Sequence, residues 1–122
     1  FLDQRRKNAE LFVSLFKDNK DFIIQKDIDN SSWFGFSFII KPTSTLKREN
    51  IVKALEENHV DCRPIVTGDF TKNEVLKYFD YEIFGEMKNA QYLDKNGFFV
   101  GNHQIDLTLE IKYLFEILNE LS

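Results

Sequence analysis

The segment from Ser32 to Ile40 reads Ser-Trp-Phe-Gly-Phe-Ser-Phe-Ile-Ile and constrains the fold more than any other part of the chain. Successive side chains of a β-strand point to opposite faces. The segment therefore predicts a strand with three phenylalanines, Phe34, Phe36 and Phe38, on one face. The opposite face then carries Trp33, Gly35, Ser37 and Ile39. Aromatic and β-branched residues favour strands, and Gly35 leaves room for a close neighbour. We interpret this aromatic stripe as core and interface rather than as a cofactor-binding box.

Three other segments predict short strands. Phe22–Ile24 is a brief apolar run typical of an edge strand. Val60–Val66 alternates between two faces, with Asp61, Arg63 and Ile65 opposite Cys62, Pro64 and Val66. Because Pro64 cannot donate to a sheet ladder, this strand lies at an edge or ends there. Phe98–Val100 is the last strand, and a Gly-Asn-His turn follows it.

Helices are predicted between these strands. Residues 2–18 place apolar side chains at the i, i+3, i+4, i+7 spacing of an amphipathic helix, at Ala9, Phe12, Val13 and Phe16. The pattern further predicts a helix from Leu46 to about Asn58, capped within Thr43–Thr45. Two shorter helices follow at Asn73–Phe79 and Gly85–Asn96, and Gly97 is expected as a left-handed C-terminal cap. Asp106 or Thr108 is expected to cap a last helix, which directs inward Ile111, Leu114, Phe115, Leu118 and Leu121.

With 122 residues, the prior is a single domain spanning residues 1–122. Helices and strands alternate, but the strands are few and short. We therefore expect an α+β fold, a small two-layer sandwich with a three- or four-stranded, mainly antiparallel sheet and helices on one face. The chain begins at Phe1, partway through a helical pattern, and we expect it to be a piece of a longer protein.

Charge and composition exclude several classes of protein. The net charge of −4 and the pI of about 5.2 argue against a nucleic-acid-binding domain. The single cysteine, Cys62, excludes an internal disulfide and a zinc site with several thiolates, and we expect it to be a small buried strand residue. Two histidines are too few for a metal site built by this protein alone. No apolar run reaches the length of a membrane helix, and we expect a cytoplasmic location.

Three residues are candidates for function. Arg63 lies on a strand among mainly apolar neighbours, so we expect it to be buried or half-buried and to need an anionic partner. That partner is either Asp61, Asp69 or a glutamate of this chain, or a phosphate or carboxylate ligand. His103 follows a strand, where scaffolds often present functional side chains, but the local pattern leaves its role open. Asp69 is more typical of a turn than of a catalytic acid. Nothing in the chain forms a self-sufficient catalytic centre.

Six segments form an ordered set: Leu2–Ala9, Ser32–Phe36, Arg48–Glu56, Cys62–Phe70, Asn89-Ala90 and Gly97–His103. This set, with the terminal helix, resembles the C-terminal small domain of the DegT/DnrJ/EryC1/StrS family of pyridoxal-phosphate-dependent sugar aminotransferases and dehydratases. The Trp-Phe-Gly-Phe, Arg-Pro-Ile…Thr-Gly and Val-Gly-Asn-His pieces look most like the nucleotide-sugar 3-dehydratases. In that branch the typical turn is Gly-Asn-Phe, whereas this chain has Gly68-Asp69-Phe70, and aspartate adds charge and lacks the amide donor.

The resemblance implies a fold-type-I enzyme that is normally a homodimer. Pyridoxal phosphate or pyridoxamine phosphate would be bound by an N-terminal large domain that this chain lacks. No catalytic, cofactor-binding or metal-binding residue is therefore assigned here, and the fragment alone is expected to be inactive. The small domain closes over the active site, and the resemblance implies six substrate-binding residues: Arg63, Thr67, Asp69, Phe70, Asn102 and His103.

The function implied by the resemblance is 3-dehydration of a 4-keto-6-deoxy nucleotide sugar, in the biosynthesis of deoxysugars or of bacterial surface polysaccharides such as lipopolysaccharide. A 4-aminotransferase of the same family is the first alternative. A non-catalytic sugar-nucleotide-binding module is the alternative from another class. The expected partners are a nucleotide-diphosphate sugar, the large domain and a second copy of the enzyme, with neither nucleic acid nor membrane among them.

Overall fold

The computed structural model describes residues 1–122 and contains four α-helices and four β-strands. In chain order these are α1 (Leu2–Phe16), β1 (Phe22–Ile24), β2 (Gly35–Ile40), α2 (Arg48–Glu57), β3 (Cys62–Pro64), α3 (Lys88–Asn96), β4 (Gly97–Gly101) and α4 (Thr108–Glu120). Two short 3₁₀ turns lie between β3 and α3, at Phe70–Lys72 and Glu74–Tyr78. The strands form one sheet in the order β1-β2-β4-β3, and every pairing is antiparallel. The predicted α+β class and the edge positions of β1 and β3 are confirmed.

The core lies on one face of this sheet. Phe38 of β2 faces Phe98 of β4 across the ladder, and their rings stack with centroids 5.0 Å apart. Phe12 of α1 meets Phe38 edge-on at 5.3 Å. The residues contributed by α2 and α4 join the same cluster, among them Ile51, Leu55, Ile111, Leu114, Ile117 and Leu118. Burial of such side chains stabilises the fold by about 1.5–3 kcal/mol each. We call this the core face and the opposite one the outer face.

The predicted alternation fails at the start of β2. Trp33 is buried at 4% exposure and Phe34 is 72% exposed, which reverses the assignment of these two residues. The strand begins only at Gly35, and Trp33 has a positive φ of 50° that breaks the extended path before it. The Trp33 ring therefore turns into the core beside Phe12. The predicted close approach at Gly35 is confirmed, because a Cβ there would lie 2.8 Å from the Val100 carbonyl oxygen.

Two predicted helix caps are wrong. Thr43–Thr45 does not cap α2, which begins at Arg48 without a side-chain cap. The Ser44 hydroxyl instead accepts from the Leu46 amide and donates to Asp21. Gly97 is extended rather than left-handed and is the first residue of β4. The glycine is needed there for a different reason, since a Cβ would lie 2.6 Å from the Leu93 carbonyl oxygen.

The remaining helices follow the sequence prediction with three changes, of which the first is that α3 begins at Lys88 rather than at Gly85. The segment predicted as a helix at Asn73–Phe79 is a 3₁₀ turn begun by the Asn73 side chain, which accepts from the Val75 amide. Helix α3 lies on the outer face, where Tyr92 and Leu93 line a groove with Ile23 and Ile39. The helices therefore do not all lie on one face. Asp106 accepts from the Thr108 amide, as expected of a cap, although the N-cap position of α4 is Leu107. No helix is both long and apolar enough to cross a membrane.

A buried carboxylate joins three distant segments at the end of the sheet. Asp21 is 6% exposed, and its two oxygens accept hydrogen bonds from the Ser44 and Ser122 hydroxyls, both at 2.7 Å. Burial opposes ionisation of this carboxyl, but the two hydrogen bonds and the positive charges of Lys20 and Lys41 outweigh it. The pKa of Asp21 therefore lies below its ordinary value of 3.8.

This lowered pKa predicts a specific pH dependence of stability. The carboxylate binds a proton more weakly in the folded state, so its contribution is complete above pH 3.8 and is lost as the pH falls through the folded pKa. We expect Asp21→Asn to lower the urea midpoint at pH 6 and the difference from wild type to shrink steadily below pH 3.8. Asp18→Asn, at an exposed site in the same turn, is the control. A difference that stays constant between pH 6 and pH 3 would contradict the prediction.

Candidate functional site

The predicted site residues lie at two opposite ends of the sheet. Arg63 lies in β3 directly across the ladder from Phe99 of β4. The turn that holds Thr67, Asp69 and Phe70 follows β3, whereas Asn102 and His103 follow β4. Because β3 and β4 are antiparallel, these two loops leave the sheet at opposite ends, separated by the length of β4, about 14 Å. The structure therefore does not bring all six residues together.

A hollow of about 220 Å³ lies on the outer face between the two ends. Its floor is formed by Phe34 and Phe99, whose ring centroids are 6.3 Å apart, and by Gly35. Polar side chains, including Gln25 and Ser37, and two apolar residues, Ile65 and Val66, complete its lining. The missing side chain at Gly35 is what lets the Phe99 ring lie close to the backbone, 3.1 Å from where a Cβ would stand.

Arg63 is exposed, which corrects the expectation that it is buried among apolar neighbours. None of the ion pairs of the chain includes it, so the interpretation that it pairs with Asp61, Asp69 or a glutamate is wrong. A guanidinium offers five donors in a planar fork that matches phosphate and carboxylate oxygens. The Arg63 side chain is therefore free to bind an anion that reaches the outer face.

The turn after β3 is built around Asp69. Its side chain is 3% exposed, and Oδ1 accepts from the Thr71 amide at 3.1 Å and from the Thr71 hydroxyl at 2.5 Å. Its other oxygen, Oδ2, is buried without a hydrogen-bond partner. Gly68 before it has a φ of +54°, and a Cβ at that position would overlap the Asp94 carboxylate. Thr67 and Phe70 are exposed on either side. Asp69 thus has a defined structural role in this turn.

Asn102 and His103 have opposite environments. Asn102 is 6% exposed, and its amide nitrogen donates to the Arg5 and Trp33 carbonyls at 3.0 and 2.9 Å. Its side-chain oxygen accepts from Asn8 at 3.0 Å. Both donors of Asn102 are therefore used inside the protein, whereas His103 is exposed. Substrate contact by these two residues stays a prediction.

Sequence reasoning did not identify Asn8, which is 2% exposed. The available signal was a single polar residue four positions before Phe12, in line with the apolar stripe of α1. Cys62 is half-buried rather than buried. Burial, together with the nearby charges of Glu56 and Asp61, raises the pKa of its thiol. The thiol is thus protonated at neutral pH and is not an activated nucleophile.

The fold and the site together define an α+β domain with a one-sided core and an open outer face that carries an unpaired arginine. The model of the DegT/DnrJ/EryC1/StrS aminotransferase family matches residues 1–109, and the chain belongs to that family. It is 56% identical over 119 residues to the GDP-4-keto-6-deoxy-D-mannose 3-dehydratase of Escherichia coli O55:H7. This match covers 97% of the chain but 31% of the relative, so the chain spans about a third of that enzyme's length.

Solved structures give the same result. The E. coli GDP-4-keto-6-deoxy-D-mannose-3-dehydratase with bound hydrated PLP is 55% identical, with a TM-score of 0.93 over 96% of this chain and 30% of that one. A His-to-Asn mutant of the same type of dehydratase, ColD, solved with bound GDP-perosamine, is 54% identical with a TM-score of 0.93. It covers 96% of this chain and 31% of its own. The small-domain fold implied by the sequence resemblance is therefore confirmed.

The geometry around Asp69 predicts that the stability of this turn depends on the hydrogen bonds that the Asp69 side chain accepts from Thr71. Asp69→Ala removes the acceptor for both Thr71 donors, and loss of a side-chain cap costs about 0.5–2 kcal/mol. Asp69→Asn keeps a side-chain oxygen as acceptor and replaces the unpartnered oxygen Oδ2 with an amide nitrogen. We expect the alanine variant to lower the free energy of unfolding, measured in urea, and the asparagine variant to match or exceed wild type. An asparagine variant as unstable as the alanine variant would refute this prediction.

Proposed function

We propose that this chain is the C-terminal small domain, residues 1–122, of a longer nucleotide-sugar 3-dehydratase. The observation that carries the proposal is the 56% identity to GDP-4-keto-6-deoxy-D-mannose 3-dehydratase across 97% of the chain. The substrate would be GDP-4-keto-6-deoxymannose, and the reaction would remove its 3-hydroxyl group. We propose that the full enzyme acts as a cytoplasmic homodimer that supplies deoxysugars for surface polysaccharides such as lipopolysaccharide.

Exposed apolar residues support the proposal that a larger domain accompanies this one. Between β3 and α3 the chain exposes eight large apolar side chains: Val66, Phe70, Val75, Tyr78, Phe79, Tyr81, Ile83 and Phe84. A segment this rich in exposed apolar side chains is typical of a surface that interacts with other protein. The relatives are about three times as long as this chain, which leaves ample protein to cover the segment.

The cofactor of the proposed enzyme would be pyridoxal phosphate or pyridoxamine phosphate, which supplies an electron sink for removal of the hydroxyl group. The hollow on the outer face does not fit this cofactor, because it is lined by neither a lysine for a Schiff base nor a carboxylate for the pyridine nitrogen. We therefore propose that the cofactor is held by the remainder of the enzyme, and that this chain contributes contacts to the substrate.

Each exposed site residue has a chemical use in this proposal. Arg63 binds the diphosphate of the nucleotide sugar through charge-assisted hydrogen bonds. Thr67 and His103 offer hydrogen bonds to sugar hydroxyls or phosphate, and the Phe70 ring offers an apolar surface to the sugar. Asp69 and Asn102 are largely committed to internal contacts, and we propose that they shape the two loops on either side of the substrate.

A 4-aminotransferase is the second candidate, favoured by the description of the family as aminotransferases. Purified full-length enzyme, supplied with pyridoxal phosphate and glutamate, is incubated with GDP-4-keto-6-deoxymannose, and the products are identified by mass spectrometry. A product lighter than the substrate by one oxygen atom supports the dehydratase, whereas a 4-amino sugar supports the aminotransferase. Binding without any turnover would point to the non-catalytic module. The isolated 1–122 chain is the negative control.

For Arg63 we predict a loss of substrate binding without a loss of stability. A hydrogen bond between charged groups contributes about 1.5–3 kcal/mol, so Arg63→Ala in the full-length enzyme should raise KM by about 10- to 100-fold. The melting temperature should not change, because Arg63 is exposed and has no ion pair in the chain.

The control for Arg63 is Lys53→Ala, which removes an exposed cation of α2 that pairs with Glu57. This variant should alter neither KM nor the melting temperature by a measurable amount. Unchanged kinetics in Arg63→Ala together with a lowered melting temperature would assign Arg63 a structural role instead.

A further inference from the structure

Two buried side-chain amides meet at the junction of α1 and the loop after β4. Asn8 is 2% exposed and Asn102 is 6% exposed, and the Asn8 amide nitrogen donates to the Asn102 side-chain oxygen at 3.0 Å. The two residues are 94 positions apart in the chain. A buried amide without partners is costly. The hydrogen bonds that each of the two amides makes therefore show which segments the pair holds together.

The Asn8 side chain holds the loop by hydrogen bonds to the backbone of the loop. Its amide nitrogen also lies 3.1 Å from the His103 carbonyl oxygen and 2.9 Å from that of Ile105, so its two hydrogens are shared among three acceptors. Its side-chain oxygen accepts from the Leu107 amide at 3.3 Å and from the Gln4 side chain at 3.0 Å. One side chain thus contacts the loop backbone at three residues, His103, Ile105 and Leu107.

Asn102 connects the same loop to two other segments. Its amide donates to carbonyl oxygens of α1 and of the corner before β2, at Arg5 and Trp33. Its backbone amide donates to the Phe34 carbonyl at 3.2 Å. The pair therefore fixes the loop against α1 and against the corner that carries the exposed Phe34. Asn8 holds two loop residues by their carbonyl oxygens, His103 and Ile105. Of these two, only His103 has a side chain that can act as an acid, a base or a ligand.

The pattern of contacts requires an amide at position 8. Only a side-chain amide combines two donor hydrogens with a strong acceptor in the volume of asparagine. Aspartate is of nearly the same shape but has no donor, so it would place carboxylate oxygens against three carbonyl or amide oxygens. Leucine would leave the same backbone groups without their side-chain partner.

We propose that Asn8 is a positioning residue of the enzyme: through Asn102 and the loop carbonyls it fixes the backbone that presents His103 to the nucleotide sugar. The inference rests on the proposed function. Asn8 itself touches no substrate, since it is buried beneath the loop. Displacement of a binding group by about 1 Å can lower the rate about 100-fold, so a small shift of this loop is sufficient to affect turnover.

The test uses the full-length enzyme with four single variants, Asn8→Asp, Asn8→Ser, Phe16→Leu and His103→Ala, and one double variant. Asn8→Asp should lower kcat/KM by about 10- to 100-fold, and Asn8→Ser, which keeps one donor and one acceptor, by less. Phe16→Leu is the matched control, because it perturbs the core-facing side of the same helix at a residue that contacts Phe38 and Phe115 rather than the loop. It should lower the melting temperature but leave kcat/KM within about twofold below that temperature.

The double variant separates positioning from general destabilisation. If Asn8 acts through His103, Asn8→Asp should have less than a twofold effect in a His103→Ala background, because groups that act as one unit are not additive. Hydrogen exchange adds a readout that does not depend on turnover. The Asn102 backbone amide, which donates to the Phe34 carbonyl, should exchange faster in Asn8→Asp, while the Ile24 amide at the far edge of the sheet should not change.

The outcomes separate the inference from the proposed function. An active wild type in which the effects of Asn8→Asp and His103→Ala multiply would overturn the inference alone. An equal loss of kcat/KM in Phe16→Leu, or a His103→Ala variant with wild-type kinetics, would also overturn it. A wild type without dehydratase activity would refute the proposed function and, with it, any role of Asn8 in turnover.

Discussion

The stacking of Phe38 on Phe98 is the contact on which the rest of the domain depends. The two rings belong to the central strands and lie nearly parallel, at an interplanar angle of 8°. Phe12 and Phe16 of α1 and Phe22 of β1 each meet the Phe38 ring edge-on, at 5.3, 5.0 and 5.5 Å. A register shift of one residue would move every one of these strand rings to the other face of the sheet. The aromatic contacts thus specify strand pairing and helix docking together.

Because the core occupies one face, the outer face is free for other contacts. Glycines at positions 35 and 97 let side chains approach the backbone there, and α3 covers only one end. Arg63 and Phe34 are consequently exposed. A charged side chain can be left unpaired on such a surface at little cost, whereas the same arginine on the core face would require a buried counter-charge. The one-sided core is therefore what makes a binding surface possible in so small a domain.

The sequence predicted those features that follow from local rules. Alternating aromatics identified β2, Pro64 marked β3 as an edge strand, and the apolar spacing identified α1. The errors arose where a distant contact overrode the local rule. Ser44 bonds to Asp21 rather than capping α2, and Gly97 accommodates the Leu93 carbonyl rather than a left-handed turn. For the site, local pattern could not show that Arg63 is exposed, because exposure depends on which sheet face the helices cover. Asn8 was missed because the partners that it holds in the loop lie 94–99 positions away.

Stability and site geometry are therefore carried by different kinds of contact. Aromatic packing buries a large apolar area and specifies which elements pack together. Hydrogen bonds of buried amides are directional, and a fully satisfied network permits one arrangement of the backbone. The Gly-Asn-His sequence at the end of β4 places a buried residue that fixes the backbone next to a residue that is exposed. Since both donors of Asn102 are used within the protein, the asparagine faces inward and holds the loop, and the histidine beside it is left to face outward.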